Sequence, residues 1–363
     1  MADRLRTSLV LALALSALGV ACSQTDPLAP ITDCEPEGAA RPICGFHNPE
    51  DLVALPGDGA ILVSEYGALE GSRPGALALF VLDTEERRVL FRGGDAEGSE
   101  ALWGDPDCPG PPPPAFSPHG IHLSTRSDGS LQLLVVQHGG RESIELFEVM
   151  GRAGNTEVAW RGCAEAPPDT WLNSVAALPG GGFVTTNMMS RSEGEGDPNS
   201  VFLSEEPTGQ ALEWQPGRGF SIVEGTACVV PNGIEVSQDG RKIFLNCSGE
   251  SEVRRIDRTN GEIEARASVP LPDNARWAPD GRLLVASLRP RGERDFDVCG
   301  HLESGSCPIP FAIVAIDPVS METEILYENE GPPMGAGTIG LRIGDELFVG
   351  SFGGDRLLRV QLD

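Results

Sequence analysis

Apolar and polar residues alternate in short runs along most of this chain, with the two-residue period of β-strands. The helical period of about 3.6 residues is nearly absent. The runs also recur in one form. "NPEDLVALPGDGAILVSEYG", "SPHGIHLSTRSDGSLQLLVVQH", "TWLNSVAALPGGGFVTTNMM", "VPNGIEVSQDGRKIFLNCSG", "PDNARWAPDGRLLVASL" and "GAGTIGLRIGDELFVGSFGG" each read as a strand, a tight turn and a second strand ending in small or polar residues. Most are followed by another hairpin, such as "ALALFVLDTEERRVLF". Two hairpins make a four-stranded antiparallel sheet, and about six such units predict an all-β chain folded as a six-bladed β-propeller. A β-sandwich would rarely need so many equivalent hairpins, and a seven-bladed ring is the other alternative. The last copy, Thr338 to Asp363, lacks a fourth strand, which a segment around Arg41 to Phe46 is expected to supply. Gly93–Ser117, with "PGPPPP", and Arg289–Pro310 read as insertions between blades.

Aligning the repeats shows what stands at the start of each inner strand: Glu50, His119, Asn173, Asn232, Asn274 and Thr338, with Asp273 beside Asn274. In a propeller these positions point into one end of the central channel. Asn and Asp also serve as ordinary caps at strand starts. Several in register around one axis predict more, namely a channel metal site. Glu50, Asn173, Asn232, Asp273 and Asn274 offer oxygen donors with two formal charges and no thiolate, a set suited to calcium.

Residues 1–21 stand apart from the folding pattern. Arg4 and Arg6, the apolar run Leu9–Val20 and the small residues Gly19-Val20-Ala21 form a secretory signal, and Cys22 follows as in a bacterial lipoprotein. The expected organisation is a signal peptide at 1–21, a tether at 22–40 and the propeller at 41–363. The expected location is outside the cytoplasm, either lipid-anchored to an envelope membrane through Cys22 or free in the periplasm or medium. The net charge of -27 and the lack of any Lys/Arg cluster exclude nucleic-acid binding. Without Cys22 eight cysteines remain, and an even number in an oxidising compartment predicts disulfides. The local pairs Cys34–Cys44 and Cys299–Cys307 are expected, and the other connectivity is open. No CxxC pair exists, which disfavours zinc.

"FSPHGIHLS…LLVVQHGGRESIELFEV", together with "NPEDLVALPGDG", "WLNSVAAL", "VPNGIEVSQDG" and "PDNARWAPDG" in that order, resembles the serum paraoxonase family of calcium-dependent lactonases and arylesterases. The resemblance runs from about Phe46 to the C-terminus and extends more loosely to gluconolactonase- and strictosidine-synthase-like propellers. It implies that Glu50, Asn173, Asn232, Asp273 and Asn274 hold a catalytic calcium. It also implies that His119 and His138 form a catalytic pair, His119 activating water and His138 orienting it. Asp51 matches a ligand of that family's second, structural calcium, but Ser174 stands where a further Asp is expected. Leu288 replaces an active-site histidine, and the cysteine that staples the family's C-terminus is missing. The substrate implied is a small lactone or aryl ester, and no serine-nucleophile elbow is present. A sugar-lactone hydrolase of the gluconolactonase type and a non-catalytic, metal-stabilised binding propeller are the alternatives. His122 reads as a strand residue and His47 and His301 as loop residues, all without a catalytic role. Trp171 is placed either in the pocket or in the core.

Overall fold

The computed structural model describes residues 28–68, 72–94, 103–194, 201–292, 295–299, 302 and 304–362. Within them the hairpins pair as predicted, giving six four-stranded antiparallel sheets. The innermost strands are β2 (Pro49–Ala54), β6 (Pro118–Thr125), β10 (Thr170–Ala177), β14 (Pro231–Val236), β18 (Pro272–Trp277) and β22 (Gly337–Ile343). Each packs against the inner strands of both neighbouring sheets, so the ring is closed. The fold is a six-bladed β-propeller.

Burial explains the sequence pattern. Second strands such as β3 (Ala60–Glu65) and β19 (Leu283–Leu288) are buried throughout, because blades cover them on both faces. Outermost strands such as β17 (Ile263–Ser268) and β21 (Thr323–Asn329) are mostly exposed or half-buried and can carry charge. The core consists of apolar layers between neighbouring blades; Leu134, Val136, Leu172, Phe183 and Trp214, for example, fill one such layer.

The ring closes where the sequence left a gap. Strand β1 (Ala40–Cys44) pairs antiparallel with β24 (Arg356–Gln361), from Ala40 opposite Val360 to Cys44 opposite Arg356. Arg356 is buried and locks the junction. Its guanidinium donates to the carbonyls of Asp33, Pro333 (3.0 Å) and Ile31 (3.4 Å), and its Nε to Asp355 (2.8 Å). Ile31 also exchanges backbone hydrogen bonds with Ser306. The described part of the expected tether therefore lies against the ring. The apolar start and Cys22 fall outside the described residues.

Four disulfides staple the blades: the two expected pairs, plus Cys108–Cys163 and Cys228–Cys247. The first insertion is an extra edge on β9 (Glu157–Glu165). The amides of Trp103 and Asp105 donate to the carbonyls of Arg161 (2.7 Å) and Cys163 (2.8 Å), and Asp105 accepts the Trp214 indole N–H at 2.9 Å. Its residues 95–102 fall outside the described residues.

Candidate active site and metal centre

All six inner strands break register with their neighbours at the same level. The irregularities fall at Glu50, His119-Gly120, Asn173-Ser174, Asn232-Gly233, Asp273-Asn274 and Thr338. A bulge leaves residues out of the ladder and re-aims their side chains. The candidate residues thus sit at the second to fourth positions of the strands, further in than the sequence placed them. Two "Pro-X-Gly" motifs gain a reason here. A Cβ on Gly120 would lie 2.5 Å from the Asn173 carbonyl oxygen, and one on Gly233 would lie 2.4 Å from that of Asp273. Only glycine lets neighbouring inner strands approach so closely. Five of the strands are entered through a non-glycine residue with positive φ: Asn48, Asp169, Val230, Leu271 and Ala336. Such conformations are costly, most of all for a β-branched residue such as Val230, and are held by surrounding structure.

Four of the re-aimed side chains pair between strands. Asn274 donates its Nδ2 to Glu50 Oε1 at 2.6 Å, and the Asp273 carboxylate is hydrogen-bonded by Asn232. Asn246 and Ser248 donate to the carbonyls of Asp273 and Pro272 and pin this strand start. Asn173 holds the equivalent bulge on β10, its Nδ2 3.7 Å from Met188 Sδ. All five residues are buried. Among the described residues nine buried side-chain N or O atoms have no hydrogen-bond partner, and four belong to this cluster: Glu50 Oε2, Asn173 Oδ1, Asn232 Oδ1 and Asn274 Oδ1. Each is an oxygen acceptor, and buried acceptors are normally paired. Donors of this kind fit a hard cation such as calcium. No group of three or more His, Cys, Asp or Glu side chains placed to hold a metal occurs among the described residues. Electrostatics agrees with a cation here. Burial pushes the Asp273 pKa well above its ordinary value, and the Glu50 charge pushes it further.

A chain of hydrogen bonds runs from the cluster to the rim. His119 Nε2 lies 3.4 Å from Glu50 Oε1, and His119 Nδ1 lies 2.8 Å from His138 Nε2. His138 Nδ1 in turn lies 2.9 and 3.1 Å from the two carboxylate oxygens of Glu142. Glu142 accepts the Leu172 amide at 2.6 Å and the Arg191 guanidinium. A carboxylate on His138 Nδ1 requires a proton there, which leaves Nε2 as acceptor for the His119 Nδ1 proton. In neutral His119 this leaves Nε2 as the basic nitrogen on the Glu50 side, and a proton taken up there is held by the Glu50 carboxylate. Burial alone would lower the His119 pKa; the charge and hydrogen bond of Glu50, with Asp273 and Asp51, outweigh it and raise it. The His138 pKa is lowered, because burial exceeds the pull of Glu142. Tyr66 packs edge-on to His119 at 5.2 Å, and burial with the Glu142 charge pushes its phenol up to about 12, so it stays neutral.

Sequence reading missed Glu142 and Tyr66. Glu142 sits in the turn "GGRES", where a charged residue is ordinary, and only its contact with His138 marks it. Trp171 lies beside the pair, 6.2 Å from the His138 ring and 5.5 Å from the Arg191 guanidinium. Thr338 spends its hydroxyl on the Glu50 carbonyl at 2.7 Å. Both Asp51 oxygens are engaged, by Arg276 at 2.8 and 3.0 Å and by the amides of Leu52 and Ile121, each at 2.7 Å. Ser174 bonds through its backbone to Thr185 and Thr186. Leu288 is buried in strand β19. His122 lies deeper in the channel, 3.7 Å from Glu235, and His301 is outside the described residues.

No protein-family model matches the chain, and no curated protein matches it. Solved structures do match. A gluconolactonase from Xanthomonas campestris is 15% identical with a TM-score of 0.52, over 94% of this chain and 96% of that one. A calcium-binding protein, regucalcin, from Agrobacterium tumefaciens is 12% identical with a TM-score of 0.50, over 93% and 94%. A luciferin-regenerating enzyme is 14% identical with a TM-score of 0.51, over 88% and 92%. These likenesses establish a shared fold.

Proposed function

We propose that this protein hydrolyses small lactones and aryl esters with the help of one calcium ion. The observation that carries the reading is the Glu142–His138–His119 chain ending at a cluster of unpaired buried oxygens. Glu50, Asn173, Asn232, Asp273 and Asn274 would hold the ion, which supplies Lewis-acid polarisation of a carbonyl. His119 Nε2 accepts a proton from water. His138 holds the His119 ring and its tautomer, and Glu142 holds His138. Tyr66 and Trp171 cover the histidines and exclude bulk water. A gluconolactonase and a calcium-binding protein among the structures of similar fold support this chemistry. The histidine pair favours the paraoxonase-like form of the reaction over the sugar-lactone form.

A substrate panel tests the reading. An aliphatic γ-lactone and phenyl acetate are expected to be hydrolysed with calcium present, ahead of gluconolactone, and to fall to background with a chelator. Turnover of gluconolactone alone would move the assignment to sugar lactones; no turnover of any of them would remove the enzyme reading.

Export belongs to the same proposal. Four disulfides suit an oxidising compartment. Cleavage after Ala21 with acylation of Cys22 predicts detergent-soluble protein whose mass exceeds that of residues 22–363 by its lipid. A Cys22→Ser variant is expected to be released from membranes. Recovery of the chain with residues 1–21 intact would reject this.

A further inference from the structure

The paraoxonase resemblance implies a second, structural calcium on Asp51, and the channel residues do not fit it. Asp51 is wholly buried one residue after Glu50, and each of its oxygens already accepts from a guanidinium and from a backbone amide. The guanidinium is that of Arg276. Its Nη2 donates to Asp51 Oδ1 and Oδ2 and to the Ile121 carbonyl at 3.0 Å, and its Nη1 lies 3.2 Å from Glu235 Oε1. These acceptors come from β2, β6 and β14, and Arg276 itself from β18. One side chain therefore joins four of the six inner strands just below the candidate calcium site.

We propose that Arg276 is a permanent internal cation that takes the place of a second calcium in this channel. Two carboxylates and a backbone carbonyl are the donors a calcium ion would collect. Here they surround a planar fork that presents several donors in fixed directions. Arg remains charged at any accessible pH, so this brace cannot be removed by chelation or by low calcium. By holding Asp51, it also fixes the backbone that carries Glu50. The role of Arg276 does not depend on hydrolysis being the function.

The test is calcium stoichiometry by equilibrium dialysis on the folded wild-type chain, together with thermal unfolding of three variants in excess chelator. The expected stoichiometry is one ion per chain; two would overturn the proposal. Arg276→Met strands two buried carboxylates and is expected to lower Tm by roughly 10 °C. Arg276→Lys keeps the charge without the fork and should fall between. Adding Asp51→Asn to Arg276→Met should recover a large part of the loss, because it removes one stranded charge. An Arg276→Met Tm within about 2 °C of wild type, or purely additive losses, would also overturn it. A stoichiometry of zero would reject the calcium reading of the upper site, and the unfolding cycle would still decide the role of Arg276.

Discussion

Replacing His119 by Gln is expected to lower kcat for lactone hydrolysis by about 10²–10⁴-fold, the usual contribution of a general base. Calcium binding and Tm should stay close to wild type. His119 accepts no hydrogen bond that the fold depends on; its partners are His138 at 2.8 Å and Glu50 at 3.4 Å. A Gln amide fits the same space and can still bond His138, but it cannot take up a proton. Glu142→Gln supplies the graded comparison. It keeps an oxygen for the Leu172 amide, yet removes the charge that orients His138. A loss of about ten- to hundredfold in kcat is expected there, as for other groups that orient a working histidine. If His119→Gln retains activity within tenfold of wild type, another group is the base. If Glu142→Gln exceeds the effect of His119→Gln, the order of the chain is wrong.

Glu50→Gln is expected to reverse sign with calcium. Glu50 and Asp273 are both buried, and the Glu50 charge disfavours a charge on Asp273. Without a cation, neutralising Glu50 relieves that repulsion, so the Gln variant should unfold at a higher temperature than wild type. With calcium saturating the wild type, binding adds stability only to the protein that binds. The order should then invert. Calcium affinity should drop roughly a hundredfold or more, since the number of charged ligands is what moves calcium affinity across decades. The measurement is a pair of Tm values for each protein, in chelator and in millimolar calcium. A variant less stable than wild type in both conditions would mean that Glu50 acts through packing and its bond to Asn274, not through charge.

The propeller was legible because each blade repeats a local pattern. Alternation marked the strands, and Gly, Asp and Asn marked their turns. Register around the axis then placed Glu50, Asn173, Asn232 and Asn274 together before any contact was known. The missing fourth strand of the last copy pointed to β1 for the same reason. What stayed hidden depends on side chains that meet from unrelated turns. Glu142 reaches His138 only because the turn after β7 (Leu131–Gln137) folds back over the strand end. Arg276 reads as an ordinary polar residue on an alternating strand until Asp51 is placed opposite it. Cys108–Cys163 and Cys228–Cys247 join positions 55 and 19 residues apart, and nothing local in the sequence pairs them. Asp51 shows the limit of resemblance: a matched position can keep its residue and change its partner.

The closure of the ring has a consequence for how the molecule is made. Strand β1 precedes every other blade strand in the chain, yet the strand it pairs with, β24, follows all of them. Blades one to five can assemble in order from contiguous chain, as domains built during synthesis do. Blade six must wait, and throughout that time Ala40–Cys44 is an unpaired edge that could join a wrong strand. Cys44, at the end of this strand, is joined to Cys34 10 residues earlier, so the bond can form early. That short loop keeps the waiting strand compact, and Arg356 then bonds the carbonyls of Ile31 and Asp33 just before it once the first and last blade strands have met.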